Sequence, residues 1–573
     1  MIPALRRRGA ARQHPDGAGP AAAGAAGPGS AASTPAGDSV TQRPGAASPG
    51  QRLSGLLRRH WLVSVLLLAG LVLRVAAQLA YRPALFYIDT TRYLYSAQGN
   101  DPVGYRVPLR VIAQVLNLNA VAVFQHLLGL AMAVAIYVLL VRRGCARWLA
   151  ALATAPVLLD AYQLQAEQTL MPDVLFEALI VAGIVVLAWR PRSTWWSVLA
   201  GGLILGAAAP VRQVGEILIL PALCYVLAAA GSWRRALGQA GLLCAAFAVP
   251  ILAYMTAAQV ATGHFWLSHT GVTTTYGRMA AAADCATLRL PVSQRALCPT
   301  PAQKKLGIDG LEHSPLSPLR PYYLNEKIRY LNRSVASSEA SRLVSAFNSH
   351  VLHQQPLRVL TAYGTDVVKL FAPGRTGSPG DTPISRWQFQ TRYPYLPHAS
   401  RAFVADTTDR FGGGRPAVWQ PAAGFLRGYQ LHGGYTPGPL LALAALLGLA
   451  GSLALAWRRA DPRRRQLAAA CLLFFASGAS ILLVSDLFEF SWRYQLPALI
   501  TLPPAGAAAL AVLIRGATPR NPPATAHQVR RAAAGDAGSG TSQPAAAPEQ
   551  PEEPGHGDNL GADPEAQEGR QPA

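Results

Sequence analysis

The chain has 573 residues, of which 51% are hydrophobic and only 14% charged, a balance too apolar for an ordinary soluble protein. Its formal net charge is +22, but the basic residues lie at segment edges and in a long polar insertion, not in one stripe, and no helix-turn-helix or zinc-finger pattern occurs. These features argue against nucleic acid as a partner and for membrane lipids, whose anionic headgroups attract such basic edges.

The first fifty residues are Ala, Gly, Pro and Ser with scattered Arg, and the first apolar run begins too far from Met1 for a cleavable signal peptide. Too little apolar surface is available there to offset ordering entropy, so 1–58 is predicted to be a disordered tail. About ten apolar stretches follow, at 61–80, 120–141, 148–160, 172–189, 195–210, 216–230, 236–259, 439–457, 466–484 and 495–514. Stretches of this length can cross a bilayer, and lipid requires them to be helices. The third is short and holds Pro156, so it is expected to tilt or stop beneath the surface.

Every second gap carries arginines: Arg58 and Arg59; Arg142, Arg143 and Arg147; Arg190 and Arg192; Arg234 and Arg235; Arg458 through Arg465; Arg515 and Arg520. Cytoplasmic loops retain Lys and Arg, which places both termini in the cytoplasm and the other gaps outside. The expected organisation is a cytoplasmic tail (1–58), spans 1–7 (59–259), an extracytoplasmic domain (260–437), spans 8–10 (438–515) and a second disordered tail (516–573). In the outward domain Leu343, Val344, Phe347, Val351 and Leu352, then Leu357, Leu360, Val367 and Leu370, recur at helical spacing. Two amphipathic helices broken at Pro356 are predicted, followed by irregular structure from 373 to 434, where Gly and Pro are dense. Cys285 and Cys298 also fall in this domain and are candidates for a disulfide in an oxidising exterior. Cys145, Cys224, Cys244 and Cys471 lie in or beside apolar stretches, where cysteine is a small packing residue.

Signatures of soluble enzymes are missing: no G-x-G-x-x-G, Walker loop, H-E-x-x-H or G-x-S-x-G occurs. The run Gly412-Gly413-Gly414 has no helical pattern after it, and His264/His269 and His350/His353 are isolated pairs. The outward gaps hold lone acidic residues, Asp89, Glu167, Asp173 and Glu489. Asp89 lies in an aromatic stretch, and helical spacing puts Arg92 and Tyr93 on its face. It reads either as a general base or as a helix cap and partner of Arg92. Asp173 suits a helix start through the dipole. Arg212 and Glu216 form a third outward group, and Arg493 with Tyr494 opens the last stretch. There an arginine either snorkels to the interface or holds a phosphate with its guanidinium fork.

Taken together, four segments resemble the GT-C glycosyltransferases, a superfamily that includes protein O-mannosyltransferases and the aminoarabinose transferase of lipid A. The opening block is Asp89 followed by Gly104-Tyr105-Arg106-Val107-Pro108-Leu109, and the second is Glu167-Gln168-Thr169-Leu170-Met171-Pro172-Asp173. The third runs from Gly206 through Pro210-Val211-Arg212 to Leu220-Pro221, and the last is Arg493-Tyr494 with Pro497. The resemblance implies an all-α polytopic membrane protein of about ten helices with a large extracytoplasmic insertion, working at the outer face of the plasma membrane. It implies a polyprenyl-phosphate-linked sugar as donor and a cell-envelope glycan, lipid or protein as acceptor, with inversion at the anomeric carbon. Asp89 would be the base, with Arg92, Tyr93, Glu167, Asp173, Arg212, Glu216, Arg493 and Tyr494 as substrate contacts. Some members use a divalent cation. Many relatives carry Asp-Glu in the first loop, where this chain has Asp89-Thr90. The rival readings are a non-catalytic lipid-carrier-binding protein and a lipid or sugar transporter; transporters tend to show paired repeats, and no internal repeat is visible.

Overall fold

The computed structural model describes residue 55 and residues 58–517, apart from 96–103, 269–270, 324–337, 378–380, 397 and 457–461. Almost all of the two segments expected to be disordered lies outside the described residues, as do Arg458, Arg459 and Arg520. The described chain is helical, and among its residues only one two-stranded sheet occurs. Five helices are long and apolar enough to cross a membrane: Trp61–Ala80, Leu118–Arg142, Trp233–Thr262, Pro462–Phe488 and Trp492–Ile514. Shorter apolar helices cover the remaining stretches, at Arg147–Leu159, Trp195–Gly206, Gln213–Ala229 and Gly438–Leu453, with Asp173–Ala188 between them. The protein is thus a multi-pass, all-α membrane protein. Leucines such as Leu68 and Leu446, 62% and 66% exposed, cover its flanks, as lipid contact requires.

Four elements position the site, labelled α1 (Trp61–Ala80), α2 (Thr90–Tyr95), α3 (Ala161–Gln168) and α4 (Asp173–Ala188). The third apolar stretch, expected to tilt or stop beneath the surface, is broken into two short helices. It runs as Arg147–Leu152 and Ala155–Leu159, then turns at Asp160 into α3. The Asp160 side chain caps α3 by accepting from the Tyr162 N–H at 2.9 Å. The same carboxylate faces Arg375 at 3.3 Å and accepts from the Thr436 N–H at 2.7 Å. Arg375 also donates to Gln495 Oε1 at 2.7 Å and lies 3.8 Å from the Tyr162 ring centroid. This buried pair has its hydrogen bonds made, and it ties the 260–437 insertion to two membrane helices.

The insertion contributes to two cores. Tyr276, Leu297, Leu311, Val344, Phe347 and Val351 form a core of their own, whereas Leu370, Trp387, Phe389, Tyr393, Val404 and Leu426 join the membrane core. A short ribbon, β1 (Tyr81–Arg82) with β2 (Ala417–Val418), pins the second part over the exit of α1, and the Trp419 N–H adds a bond to Ala80 O at 2.9 Å. The two helices expected around Pro356 are Ser338–Gln354 and Pro356–Lys369. Their apolar stripe is only partly buried, because Leu357 and Leu360 are 75% and 61% exposed while Val359 packs inward.

Two helices, Arg401–Phe411 and Gln420–Leu431, correct the expectation of irregular structure over 373–434. Their signals are caps: Ser400 accepts from the Phe403 N–H at 3.3 Å, and Pro421 occupies a first-turn position where no N–H is needed. Gly412 to Gly414 all have positive φ and end the first of these helices, which explains the glycine run without a ligand.

Cys285 and Cys298 form a disulfide, with Cα atoms 6.0 Å apart and a separation of 13 residues. Replacing both by serine is expected to destabilise the region around the Tyr276 core by about 3 kcal/mol, the usual effect of opening a loop of this size. Limited proteolysis in nanodiscs reads this as faster cleavage between 271 and 369, with no change in the membrane helices.

Candidate functional site

The first outward loop is built against the turn between α3 and α4. Leu85 lies in backbone register with Thr169: its N–H donates to Gln168 O, and its carbonyl accepts from the Leu170 N–H, both at 2.9 Å. Thr90, fully buried, accepts from the Tyr87 N–H at 2.8 Å and donates to Leu170 O at 3.1 Å. The Thr90 hydroxyl is therefore used to fasten the loop. Asp89 sits just before α2, and its carbonyl accepts from the Arg92 N–H at 3.0 Å.

The third block docks on the same loop. The Gly104 N–H donates to Pro210 O at 2.7 Å, and a Cβ at Gly104 would come within 2.5 Å of that oxygen, so only glycine permits this approach. Tyr105 donates to Gln125 Oε1 at 2.7 Å, and the Gln125 amide reaches the carbonyls of Glu167 and Thr169, each at 2.8 Å. The α3–α4 turn is held by these bonds.

Charged residues from all four blocks then meet in a row. Arg92 Nη2 is 2.6 Å from Asp89 Oδ1, Arg493 Nη1 is 3.9 Å from Asp89 Oδ2, and Arg493 Nε is 2.8 Å from Asp173 Oδ1. Arg212 closes the row on the same Asp173 oxygen. Aromatic rings wall it: the Arg493 guanidinium lies 5.4 Å from Trp387 and 6.0 Å from Tyr87, and that of Arg212 lies 5.5 Å from Tyr494 and 5.8 Å from Phe176. Arg212 and Arg493 share one Asp173 oxygen, so two guanidinium groups meet a single carboxylate in partly buried surroundings, where charge is poorly screened. Asp173 is 3% exposed and held between two arginines, whereas Asp89 is 23% exposed, the more open carboxylate.

Of the residues expected to contact substrate, Arg92, Asp173, Arg212 and Arg493 join Asp89, and Tyr494 flanks them. Tyr93 is buried edge-on against Tyr105 at 5.4 Å, and Glu216 is exposed on a neighbouring 3₁₀ turn outside the row. Glu167 departs from the expectation of an outward turn. It is fully buried on α3, 2.7 Å from Arg74 Nη2 and 2.9 Å from His126 Nδ1. His126 in turn contacts Gln168 Oε1 at 2.8 Å. A lone acid beside a span looks the same in sequence whether it faces water or a buried arginine.

Sequence reasoning missed Tyr87, Trp387 and Arg386, and left Glu489 without a role. Tyr87 stacks on Trp387 with ring centroids 4.6 Å apart, and Arg386 lies beside its hydroxyl. Burial pushes the Tyr87 phenol up to about 12, so it keeps its proton. Burial and then the charge of Asp309 push Glu489 up to about 7, and Glu489 accepts from the Thr382 hydroxyl. The aromatic character of the first loop was the available signal for Tyr87; Trp387 lies in a segment without periodicity.

A divalent cation, used by some GT-C members, does not fit these residues. Among the described residues no three His, Cys, Asp or Glu side chains group so as to hold a metal ion. Asp89 and Asp173 face guanidinium groups that a cation would have to displace.

No protein-family profile matches the chain, and no curated protein is similar to it in sequence. Among solved structures, the S. cerevisiae protein O-mannosyltransferase Pmt1-Pmt2 complex bound to the sugar donor is 16% identical, over 38% of this chain and 36% of that one, with a TM-score of 0.27. The oligosaccharyltransferase AglB from Archaeoglobus fulgidus, in complex with an inhibitory peptide and a dolichol-phosphate, is 11% identical, over 84% of this chain and 54% of that one, with a TM-score of 0.34. The chain thus spans about a third and about half of the lengths of these two proteins.

Proposed function

We propose that the chain is an integral-membrane glycosyltransferase that moves a sugar from a polyprenyl-phosphate donor to a cell-envelope acceptor at the outer face of the plasma membrane, with both termini cytoplasmic. The observation that carries this reading is the row itself: four blocks far apart in sequence each supply a charge to one place, where Arg212 and Arg493 share a single Asp173 oxygen. A phosphate ester suits Arg493 and Arg212, since guanidinium forks match phosphate oxygens. The membrane setting favours a lipid-linked donor.

In the reaction the acceptor hydroxyl gives its proton to Asp89 as its oxygen bonds to the anomeric carbon. The bond from that carbon to the phosphate oxygen breaks on the opposite face, and the polyprenyl phosphate leaves with the electron pair. One displacement inverts the anomeric centre. Arg493 and Arg212 stabilise the charge that builds on the leaving phosphate, and this is where they act on rate. Asp173 aims both guanidinium groups and, being 3% exposed, stays out of the substrate's path. Arg92 keeps the Asp89 carboxylate oriented.

Arg493→Lys tests the phosphate assignment. A point charge replaces a fork, so polyprenyl-phosphate binding to the full chain in nanodiscs is expected to weaken about tenfold, roughly the loss of one charge-assisted hydrogen bond. Unchanged binding would remove Arg493 from the donor site.

A further inference from the structure

The helix Pro356–Lys369 is inverted relative to a helix built for water. Asp366, 6% exposed, faces inward to Arg278 Nη1 at 2.6 Å and to Lys369 Nζ at 3.0 Å, and Lys369 turns on to Asp381 at 3.1 Å. The outer face carries Leu357, Leu360, Thr361, Gly364 and Val368, which fall within an arc of about 100°. Val368 is 70% exposed, and the two leucines are exposed to a similar degree. No charged residue stands within this arc; Arg358, at its edge, faces Asp284 at 3.7 Å. Single apolar residues on a surface are ordinary, but a whole helical face free of charge calls for a cover.

Two contacts place that face. The Tyr363 hydroxyl donates to Leu483 O at 2.9 Å, on the membrane helix Pro462–Phe488. At 1.5 Å per residue Leu483 stands about 27 Å beyond Arg465, the last of the basic residues at the other end of that helix, and so near the edge of a hydrocarbon core about 30 Å thick. Beyond the helix, the backbone of Phe371 and Ala372 lies against Gly438, where a Cβ would collide with it, and Gly438 opens the apolar helix Gly438–Leu453. A shallow groove of about 730 Å³ continues the exposed face from Gly364 and Val368 to Phe371, Ala372 and Pro373. Leu483 and Leu487 on the first membrane helix, and Leu440 and Leu443 on the second, are exposed on the lipid-covered flank.

We infer that Pro356–Lys369 lies in the membrane surface, with Leu357, Leu360 and Val368 set among the acyl chains of the leaflet on the insertion's side. The occupant is lipid because the face continues a surface that lipid already covers; a protein partner would have to displace lipid from the leucines beside it. The inward pairing of Asp366 and Lys369 fits, since a charge on the outer face would have to be dehydrated among acyl chains. Arg358 at the rim can lay its stem on the apolar face and keep its head in the headgroup layer. Leu370, just past the helix, accepts from the amide of Gln495, two residues beyond Arg493, so this seat sets the level of the charge row relative to the lipid. The inference needs the membrane fold and not the glycosyltransferase reading.

The test reads bimane fluorescence from Leu360→Cys and Val368→Cys in the full chain in lipid nanodiscs, with Cys224→Ala and Cys244→Ala removing the exposed thiols. An interfacial helix sinks its apolar face about 5–10 Å into the headgroup and acyl boundary, so lipids with a nitroxide high on the acyl chain are expected to quench roughly half of the signal or more at both positions, and aqueous iodide roughly threefold less. Both side chains are exposed, so cysteine at either place keeps the fold, which thermal unfolding checks. Iodide quenching at either position that equals or exceeds quenching by the nitroxide lipid would overturn the inference and put the face in water. Protection from both quenchers would overturn it in favour of a protein cover, and disulfide cross-linking through the same cysteines would then show whether that cover is a second copy of the chain.

Discussion

Asp89→Asn is expected to lower sugar transfer by roughly 10²–10⁴-fold while leaving polyprenyl-phosphate affinity within a few fold, as befits the loss of a general base and nothing else. Asparagine keeps the size of the side chain and still offers Arg92 an oxygen at the place where Asp89 Oδ1 now accepts at 2.6 Å. What it cannot do is take a proton. Asp173→Asn should behave differently, because Asp173 holds Arg212 and Arg493 together and is nearly buried. Its loss is expected to appear first as weaker donor binding. Single-turnover transfer beside equilibrium binding separates the two. Full transfer by Asp89→Asn would move the base elsewhere and leave Asp89 as the partner of Arg92.

Arg74→Met is expected to destabilise the fold by about 3–5 kcal/mol, the usual loss when one member of a buried ion pair is removed. Arg74 donates to the carbonyls of Gly70, Leu158 and Val157 as well as to Glu167, so it joins α1 to the broken third stretch and to α3. With methionine there, Glu167 is left as a buried carboxylate with His126 and Gln163 beside it. Adding Glu167→Gln removes that charge and should restore a large part of the stability, because an apolar and an amide group replace a broken pair. Thermal unfolding of the single and double variants in nanodiscs reads this directly. If Glu167 were instead a substrate contact, the single variant would unfold like wild type and the Glu167→Gln variant would lose donor or acceptor affinity.

The contrast between Asp173 and Glu167 shows how much was legible in the sequence. Hydropathy located the membrane helices, since a span must satisfy its backbone internally and so leaves a continuous apolar run. The four blocks were legible as blocks, and Asp89, Asp173, Arg212 and Arg493 are drawn from them one apiece. Their pairing was not, because Arg493 and Asp173 are 320 residues apart and nothing local couples them. Glu167 lies six residues before Asp173 in the same block, yet α3 turns it inward to Arg74. The role of Thr90 is explained only when its hydroxyl is seen between Tyr87 and Leu170. The cleft between the first outward loop and the 385–396 segment was invisible for a different reason. Most of its wall comes from the 385–396 segment, whose residues follow no period and whose neighbours in space are loop residues near 86 and helix residues near 165. The helices Arg401–Phe411 and Gln420–Leu431 were hidden by counting glycines and prolines without asking whether they stood at helix ends.

The measurement that bears most directly on the central claim is transfer by the purified wild-type chain in nanodiscs, from a panel of radiolabelled polyprenyl-phosphate sugars to cell-envelope glycans, lipids and peptides. Transfer from at least one donor, with equimolar release of polyprenyl phosphate and an inverted anomeric centre in the product, is the predicted result. Tight polyprenyl-phosphate binding with no transfer from any donor would contradict it and would leave a carrier-binding or transporting protein.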